Sequence, residues 1–231
     1  MAKGVTRRSR TIPREVTIRL HDPGMTPLLR AGLGGLAASL YPIGRGSGGW
    51  PDQVALDGGW ATVRPTEVVL GWDDGGPASV LEKLVARSFQ LDGAQVYLPG
   101  AYGDGLSNRP EVVAALQAAL RRSFLGHPTF VAGSARVTRT FEIDGQQYSY
   151  DAETLAGYVH QDSAEDLASA FERDAHIKLA SWAYPGAAQR HIAFGGTKAT
   201  YAPGQALCAV FALVGCVVYS ASRAAVVVVP D

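Results

Sequence analysis

The first part of the chain switches between two hydrophobic periods. From Glu15 to Leu20, apolar and polar side chains alternate, which predicts a half-buried strand. After a turn, Thr26 offers a capping hydroxyl and Pro27 a favoured first helical residue. Apolar residues then recur every three or four positions, so we predict a helix that ends before Pro42. A strand followed at once by an amphipathic helix indicates a mixed α and β protein.

This first helix contains three glycines, Gly32, Gly34 and Gly35. Each interior glycine costs about 1 kcal/mol of helix stability relative to alanine. Such a helix is tolerable where another backbone approaches closely, because a glycine leaves room for it. We therefore expect tight packing of this helix against a sheet or a neighbouring element.

The remaining pattern predicts short strands between amphipathic helices, and Asp144-Gly145 is a typical two-residue hairpin turn. The predicted elements are two strands within 60–72, a helix over 77–91, a strand over 94–98, a helix over 107–124, a hairpin over 136–150, an acidic helix over 163–176, a strand near 177–182, a helix over 203–214 and buried strands over 217–219 and 225–229. We therefore predict an α+β fold of mixed sheets with packed helices, forming one domain over residues 15–231. A flexible basic arm over residues 1–14 precedes it.

The charged residues are distributed unevenly along the chain. The formal net charge is zero and only 18% of the residues are charged. Residues 1–30 nevertheless carry seven basic and two acidic residues, a net of +5, whereas residues 151–175 carry seven acidic residues and one arginine, a net of −6. Opposed poles suit a protein that touches nucleic acid at one end and a basic partner at the other. A basic tail and a solvated acidic helix face explain the charges equally well.

From the two cysteines and the basic start of the sequence we expect a reducing compartment and no membrane partner. Cys208 and Cys216 lie in one apolar run, which fits buried free thiols and neither a disulfide framework nor a zinc pattern. The stretch from Ala206 to Tyr219 is shorter than the roughly 20 residues of a spanning helix, and no apolar region follows the basic start. We expect a cytoplasmic protein. Because it stops directly after a very apolar strand, we also expect it to be part of a longer product.

Several arrangements that could carry catalysis fail on their context. His21-Asp22 is followed at once by Pro23-Gly24, so the pair belongs in a turn, and the other histidines lack metal-ligand spacing. A nucleophile built from either cysteine with His191 is conceivable, but apolar surroundings raise a thiol's pKa and make it inert. We therefore expect no enzymatic activity, no metal and no cofactor.

A glycine-rich segment over residues 42–52 satisfies the pattern G-x-G-x-x-G from Gly44 to Gly49. A dinucleotide site needs a strand before the pattern and a helix after it, whereas here a helix precedes it and Trp50-Pro51 follows. Arg45 and Trp50 suit a loop that enters a DNA groove, with one cation and one stacking or wedging ring. A plain mobile loop is the alternative.

The other candidate contacts with nucleic acid are basic or polar residues spread along the chain. Asn108 and Arg109 stand at a predicted helix start, where they could read a phosphate or a base edge, although Asn108 could equally be only a cap. Arg139 shares a hairpin face with Val137 and Phe141, so it needs an anionic partner, which is more commonly an internal carboxylate. The full set of predicted nucleic-acid-binding residues is Arg7, Arg8, Arg10, Arg45, Trp50, Asn108, Arg109, Arg136, Arg139 and Arg190.

Three segments resemble one known family. The run from Val16 to Leu40, with its D-P-G-M-T-P-L-L-R-A-G-L-G-G-L core, resembles the opening of the large subunit of type I CRISPR effector complexes, in the myxan subtype of the Cas-eight superfamily. The segments Trp182–Phe194 and Ala206–Cys216 are similar to that family's Y-P-G…R-H and F-A-x-V-G-C segments. The middle of the chain matches only in the order of its elements.

The resemblance implies a non-catalytic subunit of a Cascade-type complex. Its partners would be the guide RNA near the 5′ handle, target double-stranded DNA, the handle-binding and backbone subunits, the small subunit, and a recruited nuclease or transposition proteins. Such a subunit contacts the short flanking motif (PAM) of the target while the guide reads its sequence. Family members are usually longer, with a helical carboxy-terminal part similar to the small subunit, and we expect that part to be either a separate chain or trimmed away here. The flanking-motif residues also vary between subtypes, so the candidate residues rest on the local chemistry alone.

Two other functions remain open at this point. The chain could be a structural assembly protein without direct DNA readout, or an enzyme that depends on cysteine and histidine.

Overall fold

The computed structural model describes residues 14–45, 52–93, 95–102, 109–179, 181–186, 199–221 and 224–230. Helices and small antiparallel sheets mix in these ranges, so the α+β prediction is confirmed. The α-helices are α1 (Pro27–Gly44), α2 (Ala78–Ser88), α3 (Pro99–Tyr102), α4 (Pro110–Arg122), α5 (Ala164–Arg173) and α6 (Pro203–Gly215). The strands are β1 (Glu15–Arg19), β2 (Val54–Leu56), β3 (Gly59–Arg64), β4 (Glu67–Trp72), β5 (Gln90–Asp92), β6 (Gln95–Tyr97), β7 (Val131–Ala132), β8 (Ala135–Ile143), β9 (Gln146–Thr154), β10 (Gly157–Tyr158), β11 (Ile177–Lys178), β12 (Thr200–Tyr201), β13 (Val217–Ala221) and β14 (Ala224–Val228).

A four-stranded antiparallel sheet opens the fold, with strand order β1-β4-β3-β2. Its inner face carries side chains such as Ile18, Ala61 and Leu70, which are buried in a hydrophobic core shared with the helices. Arg14 extends the sheet edge, because its carbonyl accepts a hydrogen bond from the Trp72 backbone amide at 2.9 Å. The rest of the predicted arm lies outside the described residues.

Helices α1 and α6 pack against each other at very short range. A Cβ added to Gly32 would lie 1.9 Å from the Cys208 carbonyl oxygen, and one added to Gly35 would lie 2.3 Å from that of Phe211. Gly215 of α6 makes the reciprocal approach to α1. The predicted close packing of the first helix is therefore confirmed, with another helix as its partner. Gly34 faces outward instead, with no described atom within 4 Å of its added Cβ.

The predicted end of α1 and the predicted burial of the last two strands are both wrong. Helix α1 was predicted to end before Pro42, but it continues to Gly44. Pro42 lies in the last turn, where its missing N–H removes only one hydrogen bond of the helix. The carboxy-terminal strands β13 and β14 are not fully buried: Val217 is 60% exposed and Tyr219 is 48% exposed. The two strands form a two-stranded sheet. One face of this sheet packs on α4, and the other face is exposed.

The long hairpin β8–β9 lies beside α4 and contacts it through β9. Asp144 and Gly145 both have positive φ, 51° and 76°, as a type I′ turn requires, so the predicted hairpin is confirmed. The apolar run predicted as a buried helix is also confirmed, since α6 is buried along most of its length. In the ranges that the structure describes, every helix is too short or too polar to cross a bilayer.

Candidate nucleic-acid interface

Helix α4 and the β8–β9 hairpin lie side by side and leave a cleft at each end of their contact. One cleft, of about 270 Å³, lies at the amino end of α4, and we call it the tyrosine cleft. It is lined by Asp92, Gln95, Val96, Tyr97, Tyr102, Pro110, Val113, Gln117, Arg139, Thr140, Phe141 and Tyr150. The other, of about 410 Å³, lies toward the carboxyl end of α4, and we call it the arginine cleft. It is lined by Ala114, Gln117, Ala118, Arg121, Arg122, Gly126, Arg136, Tyr150, Asp151, Ala152 and Glu153.

The buried side chain of Gln117 fixes α4 to the short strand β6. Its Nε2 donates to the Val96 carbonyl at 2.6 Å, and its Oε1 accepts from the Val96 amide at 3.1 Å. The Gln117 side-chain amide therefore makes the two hydrogen bonds that the Val96 backbone would otherwise make to a neighbouring strand. Tyr102 donates to the same carbonyl at 2.8 Å, and burial raises the pKa of Tyr102 to about 12. The floor of the tyrosine cleft is thus held by buried hydrogen bonds.

Arg139 enters the tyrosine cleft from β8. Its Nη2 donates to the Gly93 carbonyl at 2.8 Å, and its buried Nε has no hydrogen-bond partner among the described residues. Among the described residues this arginine therefore pairs with a backbone carbonyl, and the internal carboxylate that was the alternative to a nucleic-acid partner is not among its contacts. A guanidinium has five N–H donors, so most of them remain for another acceptor.

The arginine cleft combines three cations with two carboxylates. Arg136 lies opposite Glu153 in the β8–β9 register, and Glu153 forms an ion pair with Arg121 across to α4. Arg121 and Arg122 end α4, where a cation also compensates the negative end of the helix dipole. The two helix arginines were not among the residues predicted from the sequence to bind nucleic acid, and the sequence did not indicate their position beside Arg136. Only the packing of α4 on β9 brings the three together.

Arg109 and Arg45 occupy two separate helix ends. Arg109 precedes Pro110 at the start of α4, and its Nε donates to a Glu111 carboxylate oxygen at 3.0 Å. The Glu111 backbone amide, together with Arg109, lowers the pKa of this carboxyl. Arg45 ends α1, with its guanidinium carbon 5.6 Å from the Tyr41 ring centre. Arg45 lines neither cleft.

The other predicted site residues lie outside the described ranges. These are Arg7, Arg8, Arg10, Trp50, Asn108 and Arg190. The structure therefore brings Arg109, Arg136 and Arg139 around one helix and hairpin, and it separates Arg45 from them.

The residues considered for catalysis have other partners. The Asp22 carboxylate accepts from the Arg19 backbone amide at 2.8 Å, as expected for a turn residue. Burial raises the pKa of the Cys208 thiol to about 12 and that of Cys216 to about 11. A thiol with so high a pKa is almost entirely protonated at neutral pH and is a poor nucleophile.

A model of the DevT N-terminal domain family matches residues 17–210. The chain belongs to this family. The match runs from within β1 to within α6, and so includes the residues that line both clefts.

A relative of known name agrees with the family. CRISPR-associated protein Cas8a1/Csx13 of Myxococcus xanthus (strain DK1622) is 44% identical over 223 residues, covering 95% of this chain and 39% of the relative. The DevT N-terminal domain chain thus spans about two fifths of the length of that relative. The resemblance to the myxan large subunit of the Cas-eight superfamily, in its amino-terminal portion, is confirmed.

Proposed function

We propose that this chain is the amino-terminal part of a non-catalytic large subunit of an RNA-guided type I CRISPR complex. In that complex it binds target duplex DNA beside the flanking motif and contacts the guide RNA near its 5′ handle, for interference or for RNA-guided transposition. The observation that carries the proposal is the similarity to a CRISPR-associated Cas8a1/Csx13 protein along 95% of the chain. Cytoplasmic location and assembly with the other Cascade subunits follow from the same proposal.

The two clefts support a binding role. Arg121, Arg122 and Arg136 line one cleft, and Arg139 lines the other. Arginine is the side chain best suited to phosphate oxygens and base edges, because its planar fork donates in pairs. The buried thiols, by contrast, give the cysteine-dependent alternative no accessible nucleophile.

The salt dependence of DNA binding tests the proposal. Each phosphate contact releases condensed counterions, so log K falls with log [salt] by about 0.9 per contact. Arg122→Ala and Arg136→Ala, made in the complex assembled on its guide RNA, are each expected to weaken duplex binding and to reduce this slope by about one. Arg64→Ala is the matched control, because Arg64 lies on the four-stranded sheet and lines neither cleft. Its guanidinium pairs with Glu67 at 2.6 Å.

The outcomes separate the proposal from a purely structural role. If duplex binding by the complex is as strong and as salt-dependent with both cleft variants as with the control, the arginine cleft does not contact DNA. The proposed contact between duplex DNA and the arginine cleft would then be overturned, and Arg122 and Arg136 would have a structural role only.

A further inference from the structure

The walls of the tyrosine cleft are aromatic rings from two sides of the fold. Tyr97 and Tyr102, on β6 and α3, have ring centres 5.1 Å apart, and Phe141 and Tyr150, on the hairpin, have ring centres 5.9 Å apart. All four line the cleft. Rings on both sides favour a flat, apolar-faced ligand, because aromatic groups attract one another in stacked and edge-to-face arrangements.

The polar rim of this cleft has balanced charge. Arg139 supplies one positive charge and N–H donors beyond the one that the Gly93 carbonyl accepts among the described residues, and Asp92 supplies one carboxylate. Gln95 adds an amide whose Nε2 already donates to the Tyr150 hydroxyl at 3.1 Å, which leaves its oxygen as an acceptor. A phosphate would be repelled by the carboxylate, whereas an uncharged ring with donors and acceptors on its edge matches both charged groups.

The size of the cleft limits the ligand to one small ring system. Pockets for drug-sized molecules measure roughly 300–1,000 Å³, and this one measures about 270 Å³. A nucleobase meets every requirement: flat faces for the rings, and an edge that combines acceptors with donors.

We propose that the tyrosine cleft holds one unstacked nucleobase of a strand that the protein binds. This inference rests on the proposed function and adds to it a defined subsite. Guanine fits best, since its O6 and N7 accept from a guanidinium while its N1–H and N2 amino group suit a carboxylate such as Asp92.

Abasic scanning tests this subsite. Single-stranded DNA and RNA oligonucleotides, each lacking one base at a different position, are titrated against the complex by fluorescence anisotropy. Stacking and edge contacts predict one position, a guanine, at which base removal weakens binding roughly five- to a hundredfold. The DNA and RNA series show which strand supplies the base.

Protein variants show whether that base occupies this cleft. Arg139→Ala and Phe141→Leu are expected to weaken binding of the intact oligonucleotide by a similar factor and to have little further effect on the abasic one. Thr138→Ala is the control: Thr138 neighbours Arg139 on β8, but its hydroxyl lies on the opposite face, 3.1 Å from Asp151. This control should bind like the parent protein.

Two results would overturn the subsite, and each differs from failure of the proposed function. If no single base matters while salt-dependent binding persists, the protein contacts only the backbone and the cleft is not a base site. If one base matters but Arg139→Ala and Phe141→Leu lose the same factor on intact and abasic strands, the base lies elsewhere. Complete lack of nucleic-acid binding by the assembled complex would overturn the proposed function together with the subsite.

Discussion

At the scale of single residues, glycines allow the backbones of α1 and α6 to approach each other closely. Gly32 and Gly35 of α1 face backbone carbonyl oxygens of α6, and Gly215 faces the Ala31 carbonyl. These approaches leave no space for a methyl group. The low helix propensity of glycine is therefore offset by contact between two helices, and the sequence pattern alone indicated that some such contact existed.

Gly32→Ala is expected to destabilise the protein, whereas Gly34→Ala is not. The new Cβ at position 32 would overlap the Cys208 carbonyl, and overpacking of this kind costs roughly 1–3 kcal/mol or more. At position 34 the space is open, so alanine should raise the free energy of unfolding by up to about 1 kcal/mol through helix propensity. Urea denaturation of both variants measures the difference. Equal free energies of unfolding for the two variants would mean that α1 and α6 leave room for a methyl group at position 32.

His160 predicts an acid-sensitive fold. Its ring is fully buried among Phe89, Tyr158 and Trp182, both ring nitrogens lack a partner among the described residues, and burial lowers its pKa to about 3. Between pH 6.5 and pH 3 the unfolded chain therefore binds a proton that the folded chain does not. The free energy of unfolding should fall as the pH drops through this window, by about 2 kcal/mol between pH 7.5 and pH 5.

His160→Phe tests that origin, because phenylalanine keeps a ring of similar shape and cannot be protonated. Denaturation curves at pH 7.5 and pH 5 should show a smaller pH effect in the variant than in the parent, by about 2 kcal/mol. An unchanged pH effect would assign the acid sensitivity to other groups.

The two thiols are expected to be unreactive in the folded protein. Cys208 and Cys216 are buried and their pKa values are raised, so little thiolate exists at pH 7.5. A disulfide reagent should label both sites slowly in buffer and rapidly in denaturant. Fast labelling of the native protein would support the cysteine-dependent alternative that the sequence left open.

At the scale of elements, predictions succeeded where local chemistry decides the structure and failed where tertiary packing decides it. Asp144-Gly145 specified the long hairpin, because positive φ at both residues is a local requirement. The apolar runs that became β13 and β14 carry no alternation, so their sequence could not show that one face is exposed. Pro42 likewise predicts a helix end only within a turn or so.

The hairpin turn provides a prediction at this scale. Gly145→Ala should cost about 1–2 kcal/mol, since its φ of 76° disfavours any side chain although no described atom is within 4 Å. Gly75→Ala is the matched control, because that glycine also has open space and its φ lies outside the positive range. Thermal or urea unfolding distinguishes them. Loss of stability in both would show that the turn conformation is not the cause.

At the scale of the whole molecule, the candidate site could be predicted only in part. The sequence singled out Arg109 at a predicted helix start, Arg139 on an apolar hairpin face and Arg136 as one of several basic residues. The structure places Arg109 at the start of α4, and Arg136 and Arg139 on β8 of the hairpin beside it. Tyr97, Tyr102 and Tyr150 went unnoticed, since segments far apart in the chain meet only in the folded protein. The family resemblance, by contrast, needed only short continuous motifs, and it was confirmed.

The most direct test of the account is co-purification of this chain with the other subunits of its complex and a guide RNA, followed by binding to duplexes that differ only in the flanking bases. We expect a stable ribonucleoprotein whose affinity for DNA depends on those bases and falls with Arg139→Ala or Arg136→Ala, relative to Arg64→Ala. A chain that joins neither the subunits nor the RNA would contradict the central claim.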